Sequence, residues 1–195
     1  SLPSDMKQLY FKDLPRIRFL DLSDNQLESI NPNTWVHSRS TLESIDISKN
    51  QISSIQGYTT NLFRLKTFKM ANNGVTSLKF NQFKDNQNLI NVDFRSNPLD
   101  FILSGCTMNY ITELKCENLN LVGAVHFYDV PSVHLKYVSM KNNYIEYIHE
   151  DTFSRSQQLT EIDLSYNWLT FVNSTNNYDL LFAHAYKTLR KLHLN

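Results

Sequence analysis

Chemistry could be carried by only a few groups in this chain. Cys106 and Cys116 are its two cysteines, ten residues apart, and neither a C-x-x-C pair nor a nearby histidine accompanies them. That spacing does not make a zinc site. Two readings stay open, a disulfide between Cys106 and Cys116 or two buried thiols acting as small core residues. The six histidines (37, 126, 134, 149, 184 and 193) are scattered and share no ligand spacing. Ser4-x-x-Lys7 has the spacing of a serine–lysine pair but no companion motif, and neither G-x-S-x-G, H-E-x-x-H nor a glycine-rich phosphate loop occurs. No catalytic set, metal or cofactor is expected. Asn173-Ser174-Thr175 is the one N-x-S/T triplet, an acceptor for a glycan if the chain is secreted.

What must position any binding residue is a repeat. Leu159-x-x-Ile162-x-Leu164-x-x-Asn167 has the same form as segments starting at Ile17, Leu42, Leu65, Leu89 and Leu135, which end on Asn25, Asn50, Asn73, Asn97 and Asn143. A weaker unit, Ile111-x-x-Leu114-x-Cys116, carries Leu119 where the others have Asn, and a shortened one starts at Leu189. The starts lie 22 to 30 residues apart. A fixed period in the twenties on the L-x-x-L-x-L-x-x-N pattern is the signature of a leucine-rich repeat.

The alternation within each unit predicts a short strand with one apolar face, which can be buried only by stacking on its neighbours. The recurring Asn falls where the strand must turn, and an amide can serve the free backbone groups there. Asn25, Asn50, Asn73, Asn97, Asn143 and Asn167 are therefore expected to form an internal ladder, interrupted at Leu119. A second apolar pair follows each turn (Leu27/Ile30, Ile52/Ile55, Val75/Leu78, Leu99/Ile102, Ile145/Ile148, Leu169/Val172), and Phe11, Phe83 and Phe153 recur six residues before a strand as plugs for the convex side. Phe127 is expected to play the same part in the irregular unit. The fold class is an α/β solenoid: a horseshoe with a parallel β-sheet on its concave face and mostly irregular or short helical convex segments. Residues 1–195 form a single array of about seven full repeats, with partial repeats at both ends that suggest a piece of a longer protein.

Net charge is zero, with 19 basic and 19 acidic residues, which gives no basic footprint for nucleic acid. No apolar run approaches the ~18 residues of a membrane helix; any membrane attachment would come through segments absent from this chain.

The 24-residue unit with its Asn-ended strand, second apolar pair and Phe plug resembles the typical leucine-rich repeat of extracellular animal proteins. Within that class the chain looks most like the ectodomain of a Toll-like receptor or a related innate-immunity or cell-surface protein. The resemblance implies an extracellular, non-enzymatic module that binds a protein ligand or co-receptor, with homo- or heterodimerisation among its modes. An adhesive or structural leucine-rich repeat protein is the alternative.

Outward strand positions name the candidate contacts. They place Lys66, Lys69, Arg95, Lys115, Lys136 and Lys141 in the middle repeats, with carboxylates towards the ends. Phe19, Tyr137 and Tyr166 are aromatics on the same face, and aromatics are enriched at protein contacts. The expected binding surface is Phe19, Lys69, Arg95, Tyr137, Lys141, Asp163 and Tyr166, with Tyr137 and Tyr166 forming one patch beside Lys141 and Asp163.

Overall fold

The computed structural model describes residues 5–6, 16–31, 33–78, 82–99, 108–125, 132–170 and 187–195. Phe11, Ile102, Cys106, Phe127, Val172 and Asn173 lie outside them, and with them the disulfide partner and the sequon. The chain forms β1 (Asp5–Met6), β2 (Phe19–Asp21), β3 (Ser29–Ile30), β4 (Ser44–Asp46), β5 (Thr67–Lys69), β6 (Asn91–Asp93), β7 (Glu113–Lys115), β8 (Val122–Val125), β9 (Tyr137–Ser139), β10 (Tyr144–Ile148), β11 (Glu161–Asp163) and β12 (Lys191–His193). Eight of these make one parallel sheet in the order β12-β11-β9-β7-β6-β5-β4-β2, one strand per repeat. β10 pairs with β8, and β1 with β3, on the turn side. The convex connections among the described residues are turns and two short 3₁₀ segments, Val36–Ser38 and Glu150–Phe153.

Register follows from the repeat. The central residue of each strand (Leu20, Ile45, Phe68, Val92, Leu114, Val138, Ile162) pairs with its counterpart one unit on and points into the core. The second apolar pair closes the core from the turn, with Leu27, Ile30, Ile52, Ile55, Val75, Leu99, Ile145 and Ile148 all buried. Each such Leu or Ile contributes about 1.5–3 kcal/mol on burial, spread along the array rather than centred in it. On the convex side Phe83 and Phe153 are buried plugs, and Phe83 packs against Phe68 and Phe94 at 5.7 and 6.0 Å between centroids. Where no Phe is available, Trp35 and Tyr58 do this work edge-to-face at 5.8 Å. Trp35 Nε1 donates to Tyr58 O (3.0 Å), and Tyr58 Oη accepts the Ile30 N–H (2.7 Å).

The asparagines bind each repeat to the one before. Asn50 Nδ2 donates to Leu22 O and Ile47 O, and its Oδ1 accepts from Leu27 N. Asn73, Asn97 and Asn167 repeat the arrangement. At Leu119 the amide is missing, so the Leu99 N–H bonds to Asn97 O instead. Asn143 Oδ1 then accepts from both Leu119 N and Leu121 N. The residue before each ladder position takes a left-handed conformation, with φ between 53° and 56° at Asp24, Lys49, Asn72, Ser96, Asn118, Asn142 and Tyr166. Asp and Asn tolerate this region through local side-chain hydrogen bonding; a bulky aromatic does not.

Candidate functional site

The outward residues of the strands form two columns across the sheet, and most of their charge is spent within the face. Glu43 accepts from Arg18 (2.7 Å) and from Lys66 (2.8 Å), and the Lys66 bond, then Arg18, holds its carboxyl below the ordinary value. Lys69 reaches Asp46 (3.4 Å), Lys115 reaches Glu113 (3.6 Å), and Glu161 takes Lys191 (3.0 Å) and His193 (3.4 Å). Arg95 grips the buried Asp93 through Nε–Oδ1 (2.9 Å) and Nη2–Oδ2 (2.7 Å). In addition Asp21, Asp46, Asp93 and Asp163 each accept the backbone N–H two residues on. These are Asx turns, in which a carboxylate satisfies its own strand end.

The expected basic middle of the face is thereby corrected. Lys66, Lys69, Arg95 and Lys115 are all neutralised by carboxylates on the same or the adjoining strand, because Asp and Glu recur at the outward positions that bracket them. Of the six cations of the middle repeats, Lys136 and Lys141 make no ion pair among the described residues. Surface pairs of this kind are worth about 0–1 kcal/mol each, so their consequence is a neutral field rather than a rigid scaffold.

Tyr137 is in register with Glu161, whereas the Tyr166 turn lies beside Asn142, five residues further along. Tyr137 is half-buried; burial raises its pKa, and the nearby Glu117, Asp163 and Glu161 carboxylates add to the effect. Phe19 is 69 % exposed at the far end of the sheet, with the Arg18 guanidinium 5.5 Å from its ring. Ser139 is fully buried. Cys116 is buried in the third core position, and burial raises its thiol pKa.

A different cluster emerges along the rim where the strands turn, in the last three full repeats. Tyr166 is 63 % exposed and carries Lys141 Nζ 5.3 Å from its ring centroid. Glu117, Asn118, Lys141, Asn142 and Tyr166 line a cleft of about 310 Å³. Asn142 Nδ2 donates to Asn118 Oδ1 across its floor. On the other side of the buried Asn143 and the partly buried Asn167, an exposed row continues with Val122, Tyr144 and Trp168. Val122 and Tyr144 are paired between β8 and β10, Trp168 N donates to Ile145 O, and the Tyr144 and Trp168 rings meet at 4.9 Å. The equivalent residues in earlier repeats are Gln26, Gln51 and Gly74. Sequence reasoning missed this row because it looked only at strand positions; the signal available was an aromatic directly after the ladder Asn in two successive units.

Comparison with known proteins agrees with this architecture. A leucine rich repeat family profile matches residues 1–52, and a BspA type leucine rich repeat region profile matches residues 99–182. The chain is 32 % identical over 114 residues to the rat leucine-rich repeat-containing G-protein coupled receptor 5, covering 57 % of this chain and 12 % of that protein. Among solved structures, TLR13 in its complex with ssRNA13 superposes with a TM-score of 0.80 at 22 % identity, over 92 % of this chain and 25 % of the receptor chain. The Drosophila Toll–Spatzle complex gives 0.62 at 16 % identity, over 97 % of this chain and 33 % of that chain. The chain thus spans a third or less of the length of each of these proteins. It is a leucine-rich repeat protein, a parallel β-solenoid with the fold of Toll-like receptor ectodomains.

Proposed function

We propose that this chain is an extracellular recognition array of the innate-immune receptor type, which binds a ligand or co-receptor non-covalently through the rim and strand face of its C-terminal repeats. One observation carries the reading: the lysines and arginine of the middle strands are paired off internally, whereas Lys141 lies over the exposed Tyr166 ring and makes no ion pair among the described residues, with the exposed Tyr144 and Trp168 on the same rim. Exposed contiguous apolar surface rimmed by polar groups marks interaction sites, and Tyr and Trp dominate the energetics of protein contacts. Within this reading Lys141, Asp163 and Tyr166 belong to the contact, Tyr137 flanks it, and Phe19, Lys69 and Arg95 lie outside it. A glycan at Asn173 and partnering with a second receptor chain belong to the same reading.

The test is site-specific photo-crosslinking. A benzoyl-phenylalanine is placed at 166, 168, 19 or 69 in the full-length protein, expressed in the cells that naturally make it. Adducts are expected from 166 and 168 and not from 19 or 69. Adducts confined to 19 and 69, or none at 166 and 168, would overturn the assignment.

A further inference from the structure

We infer that the cleft beside Tyr166 is a saccharide site, which takes one ring of a neutral oligosaccharide while the Tyr144–Trp168 row supports the next. This rests on the recognition reading above and names its ligand class. Scale comes first: at about 310 Å³ the open cleft is at the small end of small-molecule sites and has room for a sugar ring.

Its chemistry selects among small ligands. Lys141 opposes a cation and Glu117 opposes an anion, so the cleft favours a neutral guest. An apolar guest would strand the polar wall without hydrogen bonds. The Asn142–Asn118 bond uses one Nδ2 and one Oδ1, leaving Asn142 Oδ1 and Asn118 Nδ2 with no protein partner among the described residues. Those atoms, the Glu117 carboxylate and the Lys141 ammonium supply acceptors and donors together. A polyol, whose hydroxyls both donate and accept, satisfies that mixture. The C–H face of a pyranose would lie on the exposed Tyr166 ring. Beyond the cleft, the exposed Tyr144 and Trp168 rings pack edge-to-face at 4.9 Å and extend the apolar support.

The experiment uses the full-length secreted protein with chitohexaose, laminarihexaose and cellohexaose as probes, read by saturation-transfer NMR and calorimetry. At least one hexasaccharide is expected to bind, with transfer strongest at ring-face protons. Tyr166→Asn, which suits the left-handed backbone and so preserves the fold, should weaken it at least tenfold. Trp168→Ala should weaken it several-fold, and Phe19→Ala should leave it unchanged. Absence of binding by all three probes at millimolar concentration, or binding that survives Tyr166→Asn, would overturn the proposal. A single-stranded RNA oligonucleotide or a second copy of the chain occupying the cleft in competition-proof fashion would overturn it too. If no saccharide binds but cross-links from position 166 persist, the saccharide assignment alone falls; if both are silent, the recognition reading falls with it.

Discussion

Replacing Asn97 tests how the array is held together. Its Nδ2 donates to Met70 O and Phe94 O at 2.9 Å and to Arg95 O at 3.2 Å, while its Oδ1 accepts the Val75 N–H at 3.1 Å. The side chain is buried and two of these partners, Met70 O and Val75 N, belong to the preceding repeat. At about 1 kcal/mol per bond, and with buried backbone groups left unpaired, Asn97→Ala should cost about 4 kcal/mol. Asn97→Leu should recover about 2 kcal/mol of that through burial, since position 119 shows a Leu seated in the same slot. Urea unfolding followed through the buried Trp35, with hydrogen exchange at the Val75 amide, measures both numbers. Protection at Val75 should fall in each variant. An Asn97→Ala loss below about 1 kcal/mol, or a Leu variant no more stable than Ala, would refute the claim that the amide ladder, rather than the apolar core alone, couples the repeats.

Tyr166→Asn should stabilise the chain by about 1 kcal/mol in thermal unfolding, since it relieves a left-handed aromatic without removing buried surface; a loss of stability would mean that the exposed ring packs in solution. Tyr58→Phe should cost about 1–2 kcal/mol, because it leaves the buried Ile30 N–H without its acceptor, and an unchanged melting temperature would contradict that geometry. Glu43 has its carboxyl held below the ordinary 4.5 by Lys66 and Arg18. A lowered folded-state pKa means the stabilisation is complete above 4.5 and fades as pH falls through the lowered value. Glu43→Gln should therefore lower stability above about pH 5, leave the acid end little changed and so flatten the limb between them; an unaltered limb would show that the pair forms no lasting bridge in solution.

The strands, their register and the apolar interior were legible in the sequence because a solenoid imposes one pattern repeatedly. Seven units vote on each core position, so a single departure such as Leu119 is visible as a departure, and its consequence at Leu99 N–H follows from counting amides. The convex filling by Trp35 and Tyr58 was less legible, since the plug shifts position when its residue type changes. The charged face misled for a physical reason. Collecting the cations by themselves displays Lys69 and Arg95 as free, while Asp46 stands opposite Lys69 on the adjoining strand and Asp93 lies two residues before Arg95 on its own; neutrality is a property of each residue's neighbours. The rim was hidden by the same habit. Alternation marks the strand, so the residues just past its end look like turn and carry no expectation. Yet the left-handed residue before each ladder Asn and the residue after it are forced outward, because the Asn between them must point in to serve the previous repeat. In earlier units those two outward places hold small or polar residues. In the last two full repeats they hold Asn142, Tyr144, Tyr166 and Trp168. The ladder that binds the repeats together is therefore also what projects these side chains into solvent, and it does so at every turn whatever residue stands there. Recognition as proposed needs no departure from the fold; it needs a choice of residue at two outward positions, the first of them held in the left-handed region.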